Sequence, residues 1–137
     1  MKPPILLYCH CQYAQVIADE VKRATLQRLS DSGQPFEAVP DLCELSARRD
    51  PALARIAAAG PVKIAACFPR AVKWLFHSAG APLSAEHTEI VNMRVLTAEQ
   101  AAETMLNPGL LANLPSGKVT VADAPAPPQP DDPRGTN

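Results

Sequence analysis

Short apolar runs bounded by turn residues recur along this chain, which is the pattern of buried β-strands. These runs span residues 5–8, 36–39, 62–66 and 88–93. Helical periodicity separates them, and apolar residues first recur at three- and four-residue spacing at Ala14, Ile17, Ala18, Val21 and Ala24. Strands that alternate with helices in this way favour a parallel sheet with helical crossovers.

The ends of the helices are marked by capping and stop residues. Asp50 followed by Pro51 predicts the start of the second helix, and the capping-box pattern from Thr97 to Gln100 predicts the start of the fourth. Glycine followed by proline predicts the end of each of the first three helices. These stop signals lie at 33–35, 60–61 and 80–82. We therefore expect an α/β fold with a small open parallel sheet of about four strands and helices on both faces.

Length and composition indicate one folded domain followed by a tail. A chain of 137 residues is long enough for one domain with its own core. Hydrophobic residues make up 47% and aromatic residues only 4%, so small aliphatic side chains must build that core. Segment 123–137 is rich in proline and polar residues and is expected to be disordered. We assign 1–122 to the α/β domain, with Lys118–Ala122 as a possible last edge strand.

Charge and apolar length argue against several classes of partner. The formal net charge of −1 leaves no basic footprint for nucleic acid. No apolar stretch approaches the length of a membrane span, and the first apolar run is too short for a signal peptide. We expect a cytoplasmic protein that is not inserted in a membrane. The sequence also lacks a G-x-G-x-x-G motif, so nothing predicts a dinucleotide site.

All four cysteines of the chain follow predicted strands. Cys9 and Cys11 follow the first strand, Cys43 lies in a loop beyond the second, and Cys67 follows the third. In an open parallel sheet the ligand crevice lies outside the carboxyl ends of the strands, so we expect the four thiols to meet at one edge. Cytoplasmic cysteines more often bind metal or do redox work than form structural disulfides. Four converging thiolates suit a [4Fe–4S] cluster, with zinc as the alternative.

Three charged or polar side chains near these thiols are also candidates. His10 lies between Cys9 and Cys11, but on a strand it projects away from both, so we do not expect it to be a ligand. Arg70 and Arg94 each follow a strand end, where a guanidinium group would stabilise an anionic cluster. Solvated charge at a helix start explains the two arginines equally well.

Several separate motifs recur in order within residues 5–94. After the C-x-C come Ala65-Ala66-Cys67-Phe68-Pro69-Arg70, Leu75-Phe76, Ala79-Gly80 and Val91-Asn92-Met93-Arg94. This series resembles the amino-terminal domain of the heterodisulfide reductase A family. The resemblance implies that the cluster ligands are Cys9, Cys11, Cys43 and Cys67. It also implies that Arg70, Asn92 and Arg94 belong to the cofactor site. The chain departs from the family at Phe68, where the family has serine, and at Gln12, where glycine often follows the C-x-C.

The flavin-binding and ferredoxin-like portions of that family are absent from this sequence. The resemblance therefore implies an iron–sulfur electron-transfer module, a non-catalytic component of an oxidoreductase complex. It would pass single electrons to or from a partner flavoprotein or iron–sulfur protein. Two alternatives remain. One is a sulfur carrier or thiol oxidoreductase that uses Cys67, activated by a helix N-terminus. The other is a zinc-bound or metal-free interaction domain.

Overall fold

A computed structural model of the chain describes residues 3–12 and 16–115. The expected disordered tail, 123–137, and the possible edge strand Lys118–Ala122 lie outside these residues. Within the described part of the chain, no helix combines the length and the apolar character that crossing a membrane requires.

Among the described residues, four parallel strands form one sheet in the order β2–β1–β3–β4. The strands are β1 (Ile5–Cys9), β2 (Glu37–Val39), β3 (Val62–Ala66) and β4 (Thr88–Asn92). Each strand end lies within one residue of its predicted position. Every residue of β3 is buried, as expected for a strand of a parallel sheet with both faces covered. The expected α/β fold with an open parallel sheet is confirmed.

In the described residues, five helices connect and follow the strands. They are α1 (Asp19–Asp31), α2 (Leu42–Ala47), α3 (Pro51–Ala58), α4 (Pro69–Ser78) and α5 (Ala98–Leu106). Helix α1 packs against α5, while α2 and α3 pack against α4. The Asp50 side chain accepts the N–H of Ala52 at 2.9 Å and begins α3. Thr97 and Gln100 form the reciprocal capping box at the start of α5. Both predicted helix starts are confirmed.

The structure corrects the position of Cys43. This residue was expected in a loop, but it is the second residue of α2, a helix of six residues. Asp41 caps that helix, and its carboxylate accepts the N–H of Cys43 at 2.8 Å. A signal was present in the sequence, because Glu44 follows Asp41 by three positions as in a capping box. Six residues are too few for helical periodicity to be recognised.

The buried face of α1 also differs from the expected apolar stripe. Ala24 is exposed, whereas Lys22, Thr25 and Leu29 are buried. The first expected position, Ala14, lies outside the described residues. Lysine buries its aliphatic stem readily when its ammonium finds an acceptor. A pattern that counts only apolar residues therefore misplaces the inward face of this helix.

A segment without regular secondary structure, residues 107–115, covers the edge of β4. The Asn113 side chain pairs with the main chain of Ile90, accepting its N–H at 2.6 Å and donating to its carbonyl oxygen at 3.0 Å. The N–H of Asn113 also donates to the carbonyl oxygen of Thr88 at 3.1 Å. Lys73 of α4 then donates to the carbonyl oxygen of Pro115 at 2.6 Å. We call this stretch the edge segment, because it satisfies hydrogen-bonding groups that an edge strand leaves open.

Candidate metal and thiol site

The strand order reverses between β1 and β3. The chain passes from β1 to β2 on one side and from β3 to β4 on the other. In open parallel sheets such a switch point leaves a crevice beyond the strand ends, and ligands bind there. Cys9 is the last residue of β1, and Cys67 directly follows β3. The two cysteines therefore flank the crevice.

Cys9 and Cys11 are held close together by a tight turn. The N–H groups of His10 and Gln12 donate to the main chain of residues 39–40, both at 2.9 Å, and so extend the pairing of β1 with β2. Cys11 has a φ of 51°, in the left-handed region that non-glycine residues adopt only locally. Its Sγ lies 3.5 Å from the Sγ of Cys9. Both residues are buried.

Cys67 lies at the start of α4, half-buried and beside Cys11. A hydrogen bond with the Cys11 thiol lowers the pKa of Cys67 to about 6, helped by the main-chain N–H of Phe68 and opposed by burial. Free N–H groups and the positive end of the helix dipole lower a thiol pKa in this way. The hydrogen bond with Cys11 and the start of α4 therefore favour the thiolate form of Cys67.

The Cys11 thiol is the donor for both of its neighbours. Hydrogen bonds with Cys67 and Cys9, together with burial, raise the pKa of Cys11. The pKa of Cys9 is lowered, first by the hydrogen bond with Cys11 and then by the N–H of Leu42, which lies 3.3 Å from its sulfur. Hydrogen bonding to Cys11, the thiol that keeps its proton most strongly, thus lowers the pKa values of both Cys9 and Cys67. Since metals bind thiolates, ligation at this site would displace that proton.

Cys43 lies outside this hydrogen-bonded group. The residue is exposed at the start of α2. Desolvation of its sulfur and the neighbouring Asp41 carboxylate raise the pKa of Cys43 to about 12. Because Cys43 follows the carboxyl end of β2, it still lies at the same edge of the sheet as the other thiols. The structure therefore brings the thiols of Cys9, Cys11 and Cys67 into one hydrogen-bonded group. Cys43 lies nearby but outside that group.

The donor set has the chemistry of a soft-metal site. Two thiolates on one tetrahedral zinc ion lie about 3.8 Å apart when each metal–sulfur bond is ~2.3 Å long. The 3.5 Å between the sulfurs of Cys9 and Cys11 is close to that separation. In residues 3–12 and 16–115, however, no three His, Cys, Asp or Glu side chains are placed so that they could hold a metal ion. The thiols fit such a centre in type, but ligation would require side chains to turn. The four-cysteine site stays a prediction.

The other residues expected at the cofactor lie at the same edge. The Arg94 guanidinium stacks over the Phe68 ring, with Cζ 3.9 Å from the ring centroid, so its charge lies beside the residue that follows Cys67. The Asn92 side chain accepts the N–H of Arg94 at 3.0 Å and shapes the turn after β4. Arg70 is exposed in the first turn of α4. Cofactor roles for these three residues stay predictions.

Tyr8 in β1 and Lys22 in α1 stabilise the C-x-C turn, and sequence reasoning missed both residues. The Tyr8 hydroxyl bonds to Nδ1 of His10 at 2.9 Å and donates to the carbonyl oxygen of Lys22 at 2.9 Å. Burial, followed by nearby Cys11 and Cys9, raises the pKa of Tyr8. Lys22 in turn donates to the carbonyl oxygen of Cys11 at 3.3 Å. Residues two apart on a strand share a face, so the sequence placed Tyr8 and His10 on one face and Cys9 and Cys11 on the other. This alternation was the available signal for the contact between Tyr8 and His10.

Comparisons with known proteins assign no family. No protein-family model matches the chain, and no curated protein or solved structure is significantly similar to it. The resemblance to the heterodisulfide reductase A family therefore rests on the sequence motifs alone.

Proposed function

We propose that this protein is an electron-transfer module that holds one [4Fe–4S] cluster through Cys9, Cys11, Cys43 and Cys67. When bound, the cluster accepts and releases single electrons. The partners are flavoprotein or iron–sulfur components of a cytoplasmic redox complex. Zinc is the alternative metal for the same thiols.

The observation that carries this proposal is the joining of Cys9, Cys11 and Cys67 at the switch point between β1 and β3. These thiols come from two neighbouring strands that are far apart in sequence, so only the fold brings them together. Cys9 and Cys11 are buried, and burial limits the access of water and oxidants to a bound cluster. Thiols with lowered pKa values are also the ones that bind metals most readily.

Cys43 supplies the fourth ligand in this proposal. Because the residue is exposed, its side chain can change rotamer without repacking of the core. The site would then be covered on the strand side and open towards α2. That open side is where we expect a redox partner to approach, since electron transfer requires a short distance between centres.

The proposal is tested on the full chain purified without oxygen. Iron and acid-labile sulfide are measured, and about four irons per chain are expected for one [4Fe–4S] cluster. Cys9→Ser, Cys11→Ser, Cys43→Ser and Cys67→Ser should each reduce cluster occupancy. His10→Ala is the matched control, because His10 lies between two of the ligands and faces Tyr8. It should retain the cluster.

Folded protein that takes up only zinc, or no metal, after chemical reconstitution would contradict electron transfer. Zinc-only protein would favour the interaction-domain alternative. Metal-free protein would favour the thiol chemistry described next.

One observation favours that thiol chemistry as a second candidate. The pKa of Cys67 is lowered to about 6, and a second thiol, Cys11, is hydrogen-bonded to it. The Cys67 thiolate would attack a substrate disulfide and release one substrate thiolate. Cys11, after losing its proton, would attack the mixed disulfide and release the other. Incubation of metal-free protein with glutathione disulfide tests this: a Cys11–Cys67 disulfide with two reduced glutathione molecules is expected, and Cys67→Ser should abolish it.

A further inference from the structure

Lys22 is a buried cation next to the C-x-C turn. Only 6% of the residue is exposed, and its Nζ donates to the carbonyl oxygen of Cys11 at 3.3 Å. In the part of the chain that the structure describes, Lys22 forms no ion pair with a carboxylate. Lysines are seldom this buried unless an opposite charge accompanies them.

Two hydrogen bonds tie Lys22 to the strand that carries the thiols. The Tyr8 hydroxyl donates to the carbonyl oxygen of Lys22, and the Lys22 side chain returns to Cys11. Tyr8 and Cys11 stand on either side of Cys9 in the sequence, so this arrangement fixes the thiol turn against α1 from both ends. It also supports the left-handed backbone of Cys11, which has a φ of 51°.

Lys63 is also buried, and its contacts show how a lysine with a purely structural role is accommodated. Lys63 donates to the carbonyl oxygens of Thr104 and Asn107, at the C-terminal end of α5, at 2.7 and 2.5 Å. Its Nζ also lies 3.8 Å from the carboxylate of Glu89. Lys63 therefore has a counter-charge within the protein. Lys22 forms no ion pair with a carboxylate among the described residues, so the adjacent thiol site is where its charge would be balanced.

We propose that Lys22 is a positioning residue of the thiol site, whose ammonium group offsets the negative charge of a thiolate-bound metal centre. This inference rests on the proposed metal-binding function. Four thiolates make either a [4Fe–4S] cluster or a zinc site negatively charged overall. A nearby buried cation stabilises that charge, and it favours the more negative, reduced state of a cluster.

The test separates the charge of Lys22 from its hydrogen bond to Cys11. Lys22→Gln keeps a donor and removes the charge, whereas Lys22→Arg keeps the charge. Arg23→Gln is the matched control, because it removes one positive charge from the exposed face of the same helix. Each full-length variant is reconstituted anaerobically with iron and sulfide, and its midpoint potential is measured by redox titration. The affinity of each metal-free variant for Zn²⁺ is measured in parallel.

We expect Lys22→Gln to lower the midpoint potential and weaken Zn²⁺ binding, with Lys22→Arg and Arg23→Gln close to the unaltered protein. Equal potentials and Zn²⁺ affinities for Lys22→Gln and the unaltered protein would overturn the inference. If the unaltered chain binds Zn²⁺ but forms no cluster, the electron-transfer proposal fails, and the Zn²⁺ affinities still decide the role of Lys22. If it binds neither, both proposals fail.

Discussion

Cys11 controls the protonation of the thiol site, because its S–H group is the donor for both Cys9 and Cys67. A hydrogen bond to the charged form of a group favours that form, so the pKa values of both acceptor thiols are lowered. Cys43 has no such donor among its described contacts and keeps its proton. The four thiols of one sheet edge are thus chemically distinct before any metal binds.

This difference predicts the order in which metal-free protein reacts with iodoacetamide. The pKa of Cys67 is about 6, so its alkylation rate should rise through that pH and level off near neutrality. Cys43, with a pKa of about 12, should react slowly at neutral pH although it is more exposed. Peptide mass spectrometry after timed alkylation measures both rates. Faster labelling of Cys43 than of Cys67 at pH 7 would contradict the arrangement.

The same lowered pKa makes the stability of metal-free protein depend on pH. A group whose pKa is depressed by folding stabilises the fold above its ordinary pKa, 9.0 here, and this contribution is lost as the pH falls through about 6. The free energy of unfolding should therefore rise between pH 6 and 9. Cys67→Ser should flatten the rise, which denaturant titrations at several pH values would detect.

Thr25 offers a stabilising substitution in the core. The residue is fully buried on the inward face of α1, and its hydroxyl oxygen has no hydrogen-bond partner among the described residues. Thr25→Val removes an unsatisfied polar group at nearly constant shape, so we expect a gain of about 1 kcal/mol in the free energy of unfolding. Thr104→Val is the control, because that hydroxyl donates to the carbonyl oxygen of Gln100 at 2.9 Å. It should give no gain, and a loss of stability in Thr25→Val would show that the hydroxyl has a partner.

The edge segment provides β4 with hydrogen-bond partners that a neighbouring strand would otherwise provide. The amide of Asn113 provides one acceptor and one donor in the places where a neighbouring peptide group would stand. Glu89 adds a further connection by accepting the N–H of Leu111 at 3.0 Å. The segment passes from α5 to the contact with Lys73 in α4, so it connects these two helices along the edge of the sheet.

Asn113→Leu tests this role. The substitution leaves the N–H and carbonyl oxygen of Ile90 without their side-chain partner, which should lower the free energy of unfolding by about 2 kcal/mol. The matched control is Leu111→Ser in the same segment, because that side chain is 73% exposed and should matter little. Chemical denaturation compares the two. Equal stability of the two variants would mean that the segment does not depend on the Asn113 amide.

Strong local signals explain which elements were predictable from sequence. The strands were found within one residue because short apolar runs stood between glycine and proline stops, as at 62–66. The convergence of Cys9 with Cys67 followed from parallel topology alone. Helix α2 was missed because it is short, and the role of Lys22 was missed because lysine is normally assigned to the surface. The edge segment lacks periodicity of any kind, and its contacts are formed by individual side chains at long range.

At the level of the whole molecule, the thiol site brings together parts of the chain that are far apart in sequence. Its thiols come from the ends of β1 and β3 and from the first turn of α2. An unfolded chain does not present these thiols in one place, so a metal that binds here binds the folded state preferentially. Binding of a metal at this site would therefore be coupled to folding.

This coupling predicts that Zn²⁺ raises the melting temperature of the metal-free chain. At a free Zn²⁺ concentration 100 times the Kd, the gain in stability would be about 2.7 kcal/mol, and a chelator should reverse it. Cys67→Ser should lose the gain, whereas His10→Ala should keep it. Cys43→Ser decides the number of ligands: loss of the gain indicates that the exposed cysteine joins the other three, and an undiminished gain indicates a site built from Cys9, Cys11 and Cys67 alone. A melting temperature that does not respond to Zn²⁺ in the unaltered chain would contradict zinc binding by these thiols.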